Sequence, residues 1–245
     1  MNVWAAILWG GFAAGSLCIG QAFARRMEGA HRALGLVMGF GAGALLSAVA
    51  YELIPESNLE DGRGIGLAFL LGAIVYFVAD RIVDGSGGET RSDIDGAARE
   101  SSGGSGAAMF LGALLDGIPE STILGITLAL GGTINVAFLT AVFVSNVPEG
   151  IAGTINLRAA GYTDRRILGM WVGLTIVSAV AAGIGFRAAQ SGHVTGLFSE
   201  AFAGGAVLTM LSNSMLPEGF EHGGRLVGLV VVLGYLVAAV LSVAQ

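Results

Sequence analysis

The sequence predicts an all-α integral membrane protein, a single transmembrane domain over residues 1–245 that crosses the bilayer eight times. Three observations predict it. Apolar stretches of spanning length recur along the chain, charge is scarce, and the basic residues crowd one set of connections. Of the 245 residues, 54% are hydrophobic and 12% charged, and the mean hydropathy is +0.76. A soluble domain carries about 25% charged residues. The 41 glycines fit close helix packing in lipid, where no hydrophobic force drives helices together. A net charge of −6 offers no basic surface for nucleic acid. Cys18 is the only cysteine, so the chain forms no internal disulfide.

Spans of about 17–25 apolar residues cross a bilayer. They read at 2–24, 33–57, 62–83, 106–130, 133–158, 166–190, 195–220 and 223–243. The first carries no basic residue before its apolar run and is long for a signal peptide, so it reads as a membrane helix. The fourth and fifth are separated by a turn at Gly131-Gly132. The stretch 84–105, rich in Gly and Ser with mixed charges, reads as a flexible cytoplasmic loop.

Orientation follows from arginine, because the chain has no lysine. Arg25, Arg26, Arg32, Arg81, Arg91, Arg99, Arg158, Arg165, Arg166 and Arg225 fall on one set of connections; Arg63 and Arg187 fall on the other. Basic residues accumulate on the cytoplasmic side. Both termini are therefore expected outside the cytoplasm of a multi-pass cell-membrane protein, with 84–105 inside.

All four prolines precede a glutamate: Pro55-Glu56, Pro119-Glu120, Pro148-Glu149 and Pro217-Glu218. Proline within a helix deprives the carbonyl four residues earlier of its donor. In lipid that carbonyl needs another partner. The carbonyls concerned are those of Tyr51, Leu115, Val144 and Asn213. A mid-bilayer acid costs about 2.5–3.5 kcal/mol on insertion scales. Two of these acids sit near the middle of their spans. Asp116 and Glu120 are one helical turn apart, as are Ser145 and Glu149, with Asn146 beside them. Facing helices would gather Asp116, Glu120, Ser145, Asn146 and Glu149 into an oxygen-rich cluster. Clustered carboxylates repel unless protonated or bridged by a cation. A divalent ion resolves that conflict. Glu52 and Glu56 near the outer end, and Glu218, Glu221 and His222 near the inner end, are candidate entrance and exit ligands. His31 and His193 read as isolated interfacial residues.

These motifs resemble those of the ZIP (Zrt/Irt-like) metal-ion transporters. D-G-I-P-E-S at 116–121 and S-N-V-P-E-G at 145–150 are similar to that family's H-N-x-P-E-G and H-E-x-P-E-G. G-F-G-A-G-A-L-L at 39–46 with E-L-I-P-E-S at 52–57, and L-P-E-G at 216–219, extend the likeness over most of the chain. The resemblance implies a 3+2+3 arrangement, in which the first and last three helices form an inverted repeat around a central pair carrying the metal. The chain departs from the family at Asp116, Gly117, Ser145 and Asn146. It also carries V-G-L-T-I-V at 172–177 where the family has S-G-L-T-E-P.

The expected function is transport of a divalent metal cation into the cytoplasm. Zinc is the first expectation, with manganese, iron and cadmium as alternates. All of the midplane donors are oxygens, which suit manganese and similar hard ions better than imidazole does. The alternative is the same fold without a metal site, acting as a proton-coupled carrier of another small solute. No nucleotide-binding loop or hydrolase triad is visible, so no enzymatic activity and no cofactor are expected. The expected partners are the ion substrate and the lipid bilayer, with a homodimer as an admissible assembly.

Overall fold

The structure, a computed structural model, describes residues 2–53, 62–83, 85, 106–191 and 196–244. All regular structure among them is helical: α1 (Val3–Met27), α2 (His31–Ala48), α3 (Gly62–Val83), α4 (Gly106–Gly131), α5 (Val136–Ala159), α6 (Asp164–Gln190), α7 (Gly196–Met210), α8 (Leu216–Gly223) and α9 (Leu226–Val243). A π-helical turn, Val49–Leu53, extends α2, and a second, Leu211–Met215, joins α7 to α8. The expected loop at 84–105 and the motif at 54–57 lie outside the described residues, apart from Leu53 and Gly85 on their margins.

Among the described residues, seven helical segments are long and apolar enough to cross a membrane. The protein is therefore a polytopic membrane protein. The remaining expected span, 195–220, is also a helical run, from α7 through the π turn to α8. It is less apolar than the others because Glu200, Thr209, Ser212, Asn213, Ser214 and Glu218 lie along it. It tolerates them because much of it is covered by protein: Ala201, Val207, Met210, Leu211 and Met215 are buried. Polar residues within membranes face such interiors. In contrast, α9 exposes Leu229, Val232, Leu236 and Val240 as a face for lipid.

Local signals set the helix ends. Asn135 caps α5 by accepting the Phe138 N–H at 2.8 Å, and Thr163 caps α6. Gly132, with φ of 68°, makes the turn between α4 and α5 that the Gly131-Gly132 pair predicts.

The helices pack in two groups. α1 lies against α5 and α6, and α6 against α4. α2 lies against α9 and α8, and α3 against α7. The groups meet chiefly where α2 touches α5 and where α4 touches α7. At the arginine-rich end Asp164 ties three helices together. It accepts from Arg25 and from Arg158, each at 2.6 Å, while its carbonyl accepts from Gln21 at 2.8 Å.

Glycine sets the close approach of α1 and α5. A Cβ on Gly20 would stand 2.5 Å from the Val147 carbonyl oxygen and 2.8 Å from the Gly150 Cα. A Cβ on Gly150 would meet the Leu17 carbonyl oxygen at 2.5 Å. By contrast, nothing lies within 4 Å of a Cβ on Gly15. Gly20→Ala is therefore expected to lower the thermal midpoint of the purified protein, since overpacking costs about 1–3 kcal/mol. Gly15→Ala should leave it unchanged or raise it. Equal effects at the two positions would mean that α1 and α5 are not packed backbone to backbone.

Candidate functional site

Pro119 and Pro148 lie inside α4 and α5, both of which continue as α-helix through them. The outer two motifs are built differently. Each π turn ends two residues before its proline, at Leu53 before Pro55 and at Met215 before Pro217. In the second turn the Leu216 N–H bonds the Leu211 carbonyl. In an α-helix it would serve Ser212. The donor that a π-helix would offer Ser212 is residue 217, a proline. The disturbed backbone thus includes Ser212 as well as the predicted Asn213.

Of the five predicted midplane residues, three come together. Asp116 and Glu120 are 4% and 2% exposed, and Glu149 is half-buried. Glu149 and Asp116 are both close enough to Glu120 to repel it electrostatically. Ser145 and Asn146 are buried, and each donates to a backbone carbonyl. The Ser145 hydroxyl donates to the Val142 carbonyl of its own helix at 3.0 Å, and α2 presses on it: a Cβ on Gly41 would stand 2.9 Å from the Ser145 Cα. Asn146 donates to the Ala13 carbonyl of α1 at 3.3 Å. Gly117 faces α6, with Leu174 and Ser178 nearest to a Cβ built there. Among the described residues no three His, Cys, Asp or Glu side chains are already arranged around a common point as metal ligands.

The third helix supplies what the sequence reading missed. Tyr76, 3% exposed, donates its hydroxyl to Asp116. One turn along the same face, Asp80 is also buried and accepts from Asn213 in the second π turn at 3.3 Å. The available signal was an acid inside an otherwise apolar span with a tyrosine four residues before it. That pattern carries no proline and was passed over beside the Pro-Glu motifs.

At the end away from the arginines, Glu52 accepts from Asn135 and from Ser242, one donor on each carboxylate oxygen. Glu200 of α7 is close enough to interact with Glu52 electrostatically. Glu56 lies outside the described residues, as does His193. At the arginine-rich end the His222 Nδ1 stands 3.2 Å from Glu218 Oε1 and as far from its carbonyl oxygen. Glu221 is exposed. His31 is not isolated as expected: its ring centroid is 6.1 Å from that of His222, because the start of α2 packs beside α8.

No protein-family model matches the chain, and no curated protein matches it. The chemistry of the site therefore rests on its residues. From residue 100 to 157 the chain has no Arg, Lys or His. The acids of α4 and α5 thus lie in helices without a basic side chain until Arg158. Truncating the partner of a buried carboxylate costs about 1–3 kcal/mol. Asn213→Leu should accordingly lower the thermal midpoint, and Asp80→Asn in the same protein should restore part of it. A midpoint unmoved by Asn213→Leu would show that Asp80 does not depend on that contact.

Proposed function

We propose that this protein carries a divalent metal cation across the membrane, zinc first and manganese, iron or cadmium as alternates, inward to the cytoplasm. The observation that carries this reading is the trio Asp116, Glu120 and Glu149, buried or half-buried, with the other two acids close enough to repel Glu120, in a stretch without basic residues. Buried acids are retained at such cost where they do work. A divalent cation relieves the repulsion and is attracted by it. The carboxylates are near one another without being preassembled, so the ion itself is the element that draws them into a ligand set.

The proposal includes a ZIP-like architecture of eight spans in a 3+2+3 arrangement, with α7, the π turn and α8 as the seventh. Two features support an inverted repeat. The π turns fall in the second and seventh spans, at the same distance from the following proline. The packing is also exchanged as such a repeat requires. α1 lies on α5 as α6 lies on α4, and α2 lies on α9 as α7 lies on α3. A two-fold relating the first three spans to the last three would swap α4 with α5. Inverted repeats with interrupted helices are a common transporter plan. The arginine distribution supports termini outside the cytoplasm.

The absence of a ready-made ligand set among the described residues keeps a second reading in view, a proton-coupled carrier of another solute. Uptake of zinc or manganese by vesicles holding the purified protein separates the two. On the metal reading, Glu120→Gln or Glu149→Gln should reduce uptake at least tenfold while the protein still folds, because glutamine keeps the shape and removes the charge. Normal uptake by both variants would remove the site. For orientation, a cysteine placed in the 84–105 segment should resist an impermeant thiol reagent in intact cells. Rapid labelling there would invert the assignment.

A further inference from the structure

We propose that Tyr76 is a specificity-determining residue for the transported ion, acting through one oxygen of Asp116. The inference rests on the metal-transport reading and goes beyond it, because Tyr76 belongs to α3 and carries no Pro-Glu motif. Its hydroxyl donates to Asp116 Oδ1, and both residues are almost fully buried. The ring belongs to the core formed with Ile123 and Leu124 of α4 and Val207 of α7, so it has little freedom to withdraw. One turn away, Asp80 and Asn213 fix α3 against the second π turn.

The chemical consequence concerns how Asp116 meets a cation. A carboxylate has two oxygens and can ligate through one or both. A donor held on Oδ1 competes with an ion for that oxygen and so disfavours ligation through both. Zinc is satisfied by about four ligands in a tetrahedron. Manganese prefers about six oxygens in an octahedron. With few donors in the cluster, manganese has more to gain from a second oxygen of Asp116 than zinc has. The tyrosine therefore tilts an all-oxygen site toward zinc. It also orients the carboxylate, as hydrogen-bonded partners of metal ligands commonly do.

The test is direct binding of zinc and of manganese to the purified full-length protein, with thermal midpoints recorded in parallel. Tyr76→Phe keeps the ring and removes the donor. It should weaken zinc about tenfold, the usual scale for losing such a partner, and weaken manganese less, so that the manganese-to-zinc affinity ratio rises several-fold. Placing 3-fluorotyrosine at position 76 strengthens the donor without disturbing packing, and should lower the ratio. In an Asp116→Asn background both ions should weaken and Tyr76→Phe should no longer change the ratio. Equal weakening of both ions by Tyr76→Phe, or a shift of ratio that persists in Asp116→Asn, would overturn the assignment. If Tyr76→Phe does not fold, an unchanged ratio with 3-fluorotyrosine overturns it equally. A wild-type protein that binds neither ion would instead remove the transport reading, and this inference with it.

Discussion

The repulsion around Glu120 is the constraint that the rest of the structure is arranged to tolerate. A carboxylate with 2% of its surface exposed, facing two more acids, is a poor component of a membrane interior unless its charge is met. Separating α4 from α5 would relieve the part due to Glu149, and the packing prevents that. α5 is held against α1 with glycine at the crossing, at Gly20 and Gly150, where neither helix admits a Cβ. α4 is held against α6, where Gly125 and Gly185 face the opposing backbone. α1 then joins α6, closing the group. Helix association in lipid depends on such close contact rather than on hydrophobic burial. The glycine content and the acid cluster are thus two parts of one arrangement, in which tight packing offsets an unfavourable charge distribution.

Much of this was legible in the sequence. Span positions followed from apolar run length, and the turn at Gly131-Gly132 from glycine itself. Asp116, Glu120 and Glu149 were legible because helical spacing places acids on faces and proline marks the segments that bear them. What was not legible depended on rotation about the helix axes. Ser145 and Asn146 are adjacent to the acids in sequence, yet Ser145 bonds its own helix beneath α2 and Asn146 bonds α1. No motif specifies that Gly41 will sit over Ser145. Tyr76 and Asp80 were missed for the converse reason. Their partners lie 40 and 133 residues away in the chain, so only the packing of α3 against α4 and the second π turn makes them part of the polar interior.

The partners chosen for the acids differ sharply between the two regions of the molecule. At the arginine-rich end Asp164 is met by two guanidinium groups, which fix the ends of α1 and α5 to the start of α6. Within the bundle, neutral donors reach several acids: Tyr76 to Asp116, Asn213 to Asp80, Asn135 and Ser242 to Glu52. A neutral donor orients a carboxylate and leaves its charge in place, whereas an arginine orients it and cancels that charge. A purely structural use of buried acids would favour the second solution, since an arginine also offsets the cost of burying the charge. Neutral partners are the arrangement expected where the negative charge must stay available to a cation that arrives and leaves. Two of these contacts, Tyr76 to Asp116 and Asn135 to Glu52, also cross between the two helix groups. A cation taken up by either acid would compete with a bond that holds the groups together. On the proposed function, ion occupancy and the packing of the two groups are therefore coupled through the same carboxylate oxygens.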